Sequence, residues 1–542
     1  MDGFNKKLIS AMNSLKYTTL LAFCTIFFYN CSHKSDELPS MSLINLGFDG
    51  KIENRGTLPV SFKGDRDVSY SEGVYDKAFD ISAHAANRQP LIIEKSPENS
   101  FEDYPGFSLF FWVKGDSYDH YNYSLVSQLT PDDGSGVSGW RIEKTECGGW
   151  SWWMSDGDKV LNYNPMALYQ TVNDGEWHLL GFSVNKSDDE VRLYYNGRNV
   201  AIYCLRDMGD LFKNREIAIG ADPFAGSMIY ELFNGYIDEL SVWGRSLSCE
   251  QVKTIYREHK SDVKFRRRSG SADSVTVMTW NIWNGGDRDG KFAGVHRVAS
   301  IIEESGADIV ALQDVEKSGP QIADELGFYY YHRSEKLGIV SRFPFKKTHN
   351  IYRPQNSAAV TIEVSDDDNL IFCPLLLSKK PDLESYILQG EAVADSIVEM
   401  EMETRGAEIR YIMWEIQSLM SGNSGVPVII AGNFNSGSHL DWTSDNKHNR
   451  YGLVVDFPAT LTVQQAGFVD VYRQFYPDVL KNPGYTWSPR YRDVLHNRVD
   501  FIFHSNAPRL RASSVKIVDE SPWRFPSNHA AVKASFGFEE ID

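Results

Sequence analysis

Cysteine is scarce in this chain, with six in 542 residues and no CxxC pair among them. A disulfide framework or a thiolate zinc site would need closely spaced pairs, so neither is expected. Cys24 and Cys31 fall in the N-terminal leader, leaving Cys147, Cys204, Cys249 and Cys373 as buried thiols with at most one bridge in the first half. Basic residues are also short, 55 Lys and Arg against 73 Asp and Glu, for a net charge of -18. Phosphate backbones are bound through Lys and Arg, so broad nucleic-acid binding is not expected, while local basic pockets stay open. Beyond the leader, no stretch is long and apolar enough to span a bilayer.

The leader itself has a recognisable plan. Lys6 and Lys7 precede the mostly apolar residues 15–29 (LKYTTLLAFCTIFFY), which run into Asn30-Cys31-Ser32. A positive start and a short apolar run describe an export signal over residues 1–30. A Cys directly after that run resembles a bacterial lipoprotein signal. The resemblance implies Cys31 as the lipidated residue and attachment to a membrane of the bacterial cell envelope. That places the protein at the outer membrane or cell surface, or in the periplasm. Asn30 departs from the small residue usual at that position, so a plain signal peptide or a retained anchor are the alternatives. Residues 31–40 are polar and serve as a tether.

From 41 to 259 the pattern is all-β. Short alternating runs such as FSLFFWV (107–113), WHLLGFSV (177–184), VRLYY (191–195) and YIDELSVW (236–243) are separated by turn signals. Asn196-Gly197 predicts a type I′ hairpin, which needs positive φ at both central residues. Many short strands without helices between them predict a sandwich of the jelly-roll kind. Ser248 opens a capped short helix over SCEQVKTIYREH.

FSLFFWVKGDS, DGEWHLLGFSV with DDEVRLYYNGRNVA, and FNGYIDELSVWGRSLSCEQVKTIY together resemble the laminin-G/concanavalin-A-like domain of exported bacterial proteins. The resemblance implies a glycan-binding or adhesive module. It also implies a possible structural calcium, with Asp49 and Asp238 where ligands would stand; turn-forming aspartates are the alternative. Trp150, Trp152 and Trp153 in GGWSWW are candidates for a sugar-stacking surface, or else they fill the sandwich core. Residues 260–273 (KSDVKFRRRSGSAD) have linker composition.

After 274 the periodicity changes. VTVMTWNIW and ADIVALQD are strands around a helical GVHRVASIIEE, a long helical stretch runs from about 383 to 420, and VIIAGN, NRVDFIFH and a closing strand near 530–536 follow. Strands mixed with helices around a large core predict an α/β four-layer sandwich, two sheets with helices outside. The whole is a multidomain chain: jelly-roll domain at 41–259, α/β domain at 274–542.

The order TWNIW, ADIVALQD, GIVSRFPF, AGNFN, RVDFIF and SNHAAV resembles the endonuclease/exonuclease/phosphatase superfamily over about 274–538. That family hydrolyses phosphoric esters, usually with magnesium or manganese. The chemistry needs acids to hold a hard cation, a base for water, and donors for the charge on phosphorus. Carried over by motif, Asn281 supports metal or phosphate, and Asp314 stands for the usual metal-binding Glu, with Glu316 outside the matched position. Leu375 stands where a phosphate-contacting His belongs. Asn433 replaces the water-activating Asp, Asn435 is kept, and Asp500 orients the final His529. Asn528 replaces a metal-site Asp.

An amide copies the shape of the acid but cannot take a proton from water. Loss of a general base costs about 10²–10⁴-fold. The sequence therefore predicts a degraded phosphoesterase site, a pseudoenzyme that keeps a pocket for a phosphorylated small molecule or lipid, or for a glycan. The alternatives are a weak hydrolase that recruits Mg or Mn through Glu316, Asp441 or Asp314, and an adhesin whose second half is scaffold.

Overall fold

The computed structural model describes residues 41–539 except 65–67, 85–89, 97–100, 116–120, 131–135, 212–214, 222–231, 261–273 and 522–524. The export signal, Cys31, the tether and nearly all of the 260–273 linker lie outside the described residues.

The first half is a two-sheet sandwich. At the centre of one sheet, Gly106–Gly115 pairs antiparallel with both His178–Asn185 and Gly235–Trp243. Its side chains alternate as a pleated strand requires. Phe107, Leu109, Phe111 and Val113 point into the sandwich, while Phe110 and Trp112 pack beneath the helix Cys249–His259. That helix starts at a capping box, with Ser248 and Gln251 each bonding the other's backbone N–H. The facing sheet is built on Tyr123–Leu129, Ser138–Lys144 and Trp150–Asp156. Asn196 and Gly197 both take positive φ, at 51° and 74°, in the tight hairpin between Glu190–Tyr195 and Arg198–Cys204.

Two of the three candidate stacking tryptophans are core residues. Trp150 and Trp152 are fully buried, and Trp150 donates its indole N–H to Gln170 at 3.0 Å. Strand alternation turns Trp153 the other way, where it is half-buried with the Arg141 guanidinium 5.2 Å from its ring centre. The aromatic run thus fills the gap between sheets, because large rings recover most free energy where water is excluded. Among the described residues the four cysteines are free thiols.

The second half has four layers. Along Ser274–Asn281, Val275 and Val277 face the other sheet, with Phe372, Ile429 and Ile502 opposite. Met278 and Trp280 face outward to Val295, Ile302 and Ile322 of the helices Lys291–Ser305 and Gly319–Leu326. Ile409, Met413 and Ile416 of the helix Arg405–Gly422 cover the second sheet from its far side. The long helical stretch expected from 383 to 420 is instead three helices, Leu383–Leu388, Ala394–Met402 and Arg405–Gly422. Gly390 at φ 79° ends the first, and the non-helical Thr404 separates the second from the third.

The halves are not separate bodies joined by a linker. Arg198–Cys204 of the first pairs in parallel with Tyr329–Ser334 of the second, Ala201 opposite Tyr330 and Tyr203 opposite His332. One sheet of 14 described strands therefore runs through both. Polar contacts follow the seam. Thr348 donates to Glu190 at 2.6 Å, and the buried Arg333 donates to Cys204 Sγ at 3.0 Å.

Candidate functional site

The candidate residues meet where parallel strands end, the usual place for a site in a layered α/β domain. In the first sheet Asn281 and Gln313 end paired parallel strands, and Asp314 follows Gln313 directly. In the second sheet Leu376, Asn433 and Asp500 sit side by side at the ends of Asn369–Leu376, Val428–Asn433 and Asp500–Ser505. Between these ends lies a cavity of about 510 Å³. Asn281, Asp314, Asn435, Asn528 and His529 all line it, with Lys336. Trp283, Asn284, Asp314 and Asn435 take positive φ. For Trp283 that is costly, and such conformations gather at sites where the surroundings fix the chain.

Asp500 and His529 form a hydrogen-bonded pair. Asp500 Oδ2 accepts from His529 Nδ1 at 2.8 Å, and Asp500 is fully buried. The bond fixes the ring tautomer and leaves Nε2 as the free nitrogen. Trp487 packs against the imidazole with ring centres 5.0 Å apart. Thr486 Oγ1 accepts from the Val499 and Asp500 N–H groups and holds the strand end in place.

Asn433 does not line the cavity. It is 1% exposed, and its Oδ1 accepts from the Asn435 backbone N–H at 2.7 Å. Asn435 donates its own amide to the Leu377 carbonyl at 2.7 Å. At 433 the amide side chain serves the backbone turn.

The assignment of Leu375 is corrected. Leu375 is fully buried in the apolar layer under the outer helices. It is Leu376 that lines the cavity and pairs with Asn433. Adjacent strand residues point to opposite faces, so a one-residue offset in the motif exchanges core for cavity. The consequence is unchanged: a side chain without a donor stands at this strand end.

Lys336 has no counterpart in the motif reading. It sits in the hairpin turn between Tyr329–Ser334 and Leu337–Ser341, and its Nζ lies 3.2 Å from Asp314 Oδ1 and 2.7 Å from Glu316 Oε1. The hydrogen bond to Glu316, with Asp314 close by, raises its pKa and keeps the ammonium charged. The turn position could be foreseen from sequence, but not the approach to Asp314, which depends on strand pairing.

The other wall carries an apolar patch, with Asp382 and Glu384 beside it. Leu383 and Ile387 of the short helix Leu383–Leu388, with Phe457 and Leu495, line the cavity and pack as a small cluster of their own. Asp382 caps this helix by accepting from the Ser385 hydroxyl and N–H, and that bonding lowers its pKa.

Asp441 is not free to recruit metal. It is fully buried, taking Arg473 Nε at 2.7 Å and Arg498 Nη2 at 3.0 Å. Arg498 also donates to Asp470 at 2.8 Å. In the first half, Asp238 accepts three backbone N–H groups, from Val74, Tyr75 and Glu239, and Asp49 pairs with Arg55. Both Asp238 oxygens are thus turned toward N–H donors, which does not suit calcium, a cation that needs several free oxygens.

Residues 278–529 match the model of the Endonuclease/Exonuclease/phosphatase family. Residues 94–253 match that of the Concanavalin A-like lectin/glucanases superfamily. An uncharacterized protein of Caenorhabditis elegans, F14F9.5, is 27% identical over 299 residues, 49% of this chain and 93% of that protein. Truncated Caenorhabditis elegans TDP2 superposes with a TM-score of 0.35 at 19% identity, covering 49% of this chain and 98% of that one. The binding domain of Paraclostridial Mosquitocidal Protein 1 gives a TM-score of 0.34 at 17% identity over 40% of this chain and 52% of that one. The botulinum neurotoxin serotype D ligand binding domain, solved with N-acetylneuraminic acid, gives 0.32 at 17% over 40% and 51%. The chain spans about half the length of these toxin domains.

Enzymes of the phosphoesterase family are typically dependent on divalent metal. The donors here do not fit that ion. Among the described residues no group of three or more His, Cys, Asp or Glu could hold a metal. The matched acid, Asp314, already faces an ammonium, and amides stand at 433 and 528. Magnesium favours charged oxygen ligands and gives up its water reluctantly.

Proposed function

Since residues 278–529 belong to the endonuclease/exonuclease/phosphatase family and 94–253 to the concanavalin A-like superfamily, we propose a non-hydrolytic ligand-binding role for the cavity. Its ligand is a small phosphorylated compound with an apolar body. The observation that carries this reading is Asn433, a buried amide spent on the Asn435 N–H where the family places its water-activating acid. With that acid replaced, the side chain at 433 cannot take a proton from an attacking water.

What remains is recognition. His529 Nε2, the amides of Asn281, Asn435 and Asn528, and the Lys336 ammonium line one side of the cavity, with Leu383, Ile387 and Leu495 on the other. Convergent polar groups beside an apolar patch suit a ligand with a charged head and an apolar body. Removing acids also lessens repulsion toward a phosphate.

The test is release of phosphate or nitrophenol from aryl mono- and diesters, run beside calorimetric binding of phenyl phosphate. Binding without turnover is expected. Turnover by the natural chain that vanishes in His529→Ala sinks this reading. The intact Asp500–His529 pair supports that second possibility, a weak hydrolase whose remaining proton-handling group is His529.

We also propose lipid attachment at Cys31 and residence in a bacterial cell envelope, supported by the leader sequence. Palmitate labelling that persists in Cys31→Ser would count against it. A glycan-binding role for the first half loses Trp150 and Trp152 as contacts, and a glycan array with the full chain decides whether other residues supply them.

A further inference from the structure

We propose that Lys336 is the resident cation beside Asp314, taking the place of the family's divalent metal, so that a phosphoryl group binds there without metal. This rests on the ligand-binding reading above and adds how the charge is supplied.

Lys336 is placed by the backbone. The Asp314 N–H donates to the Lys336 carbonyl at 2.9 Å, and the Glu316 N–H donates to the Glu335 carbonyl at 2.7 Å. The hairpin turn is thereby tied to the strand end that bears the family's metal-binding acid. Its ammonium then lies between two carboxylates, at 3.2 Å from Asp314 and 2.7 Å from Glu316. An ammonium has three N–H donors, so one remains for a ligand oxygen.

The amide at 528 fits the same account. By the family's motifs, acids at 314 and 528 hold a dication. Here a monocation lies between the acids at 314 and 316, and 528 is neutral. An acid kept at 528 around a single ammonium would leave this cluster more negative, which would repel a phosphate. The substitution at Asn528 and the presence of Lys336 are then one change rather than two. Glu316, outside the motif, acquires a role as the second tether.

The experiment is calorimetry of the full chain with phenyl phosphate and with inorganic phosphate, in EDTA and in magnesium, alongside a manganese titration followed by electron paramagnetic resonance. Equal affinity in both buffers is expected. Lys336→Ala should weaken binding about ten- to a hundredfold, the scale of one hydrogen bond to a charged group. Lys336→Arg should keep most of it. Lys336→Met should gain a manganese site at Asp314 and Glu316 that the natural chain lacks. Magnesium-dependent phosphate binding, or a stoichiometric manganese site in the natural chain lost in Asp314→Ala, overturns the role of Lys336 and leaves the ligand-binding reading standing. Binding of neither probe in either buffer overturns both.

Discussion

Tyr330 of the phosphoesterase-type domain pairs directly with Ala201 of the concanavalin A-like domain, in parallel register within a single sheet. The seam is lined on one side by apolar residues of both halves, including Tyr203 and Tyr330. Interfaces between domains are usually small and polar enough to permit relative motion. A shared sheet removes that freedom.

The full chain should therefore unfold in one calorimetric transition. The isolated 274–542 fragment should aggregate, because it bares the strand Tyr329–Ser334 as a long, largely buried edge. Two separate transitions, or a monomeric and stable fragment, would contradict this.

His332 makes the seam sensitive to acid. Its ring lies 4.7 Å from that of Tyr203, Tyr330 Oη is 3.0 Å from its Nδ1, and burial pushes its pKa down to about 4. Below the ordinary histidine range the unfolded chain takes up a proton that the folded chain refuses, so stability falls as pH drops from about 6.5 toward 4. Asp324, pushed up to about 6 by burial at the same interface, acts in the opposite sense, losing stability as pH rises through that window. The comparison of wild type with His332→Gln isolates the histidine. Between pH 7 and 5, urea unfolding should show the wild type losing about 2 kcal/mol more than the variant.

The tryptophans of the first half separate by face. Trp152→Ala should cost about 3–5 kcal/mol, as a large core side chain removed from a packed sandwich. Trp153→Ala should cost much less, since that ring is only half-buried. Equal losses in thermal or denaturant unfolding would be inconsistent with the strand's alternation.

Asn433→Asp alone should not restore hydrolysis. The new carboxylate could still accept the Asn435 N–H, but it would remain out of the cavity and beside the Asp500 carboxylate, its partner across the strands. Burying that charge should lower stability by about 1–3 kcal/mol with no gain in ester turnover. A single-variant gain in phosphate release would show that the rest of the site is still competent.

Much of this was legible along the chain. Alternation in FSLFFWV and VTVMTWNIW set which faces would be buried, Asn196-Gly197 set its hairpin, and the motif order placed Asn281, Asn435, Asp500 and His529 together at strand ends. These are local matters of period, turn chemistry and spacing, which a sequence encodes directly. Leu375 shows the limit, because one residue of offset decides core or cavity, and only strand pairing fixes it. The capture of Lys336 by Asp314 and Glu316 joins residues on different elements, and so does the seam from Ala201 to Tyr330. Such contacts arise from how strands stack and which edges meet. The sequence by itself determined the two kinds of domain and the loss of the acids at 433 and 528; only the tertiary structure decided that an ammonium stands beside the surviving acid and that the domains share one sheet.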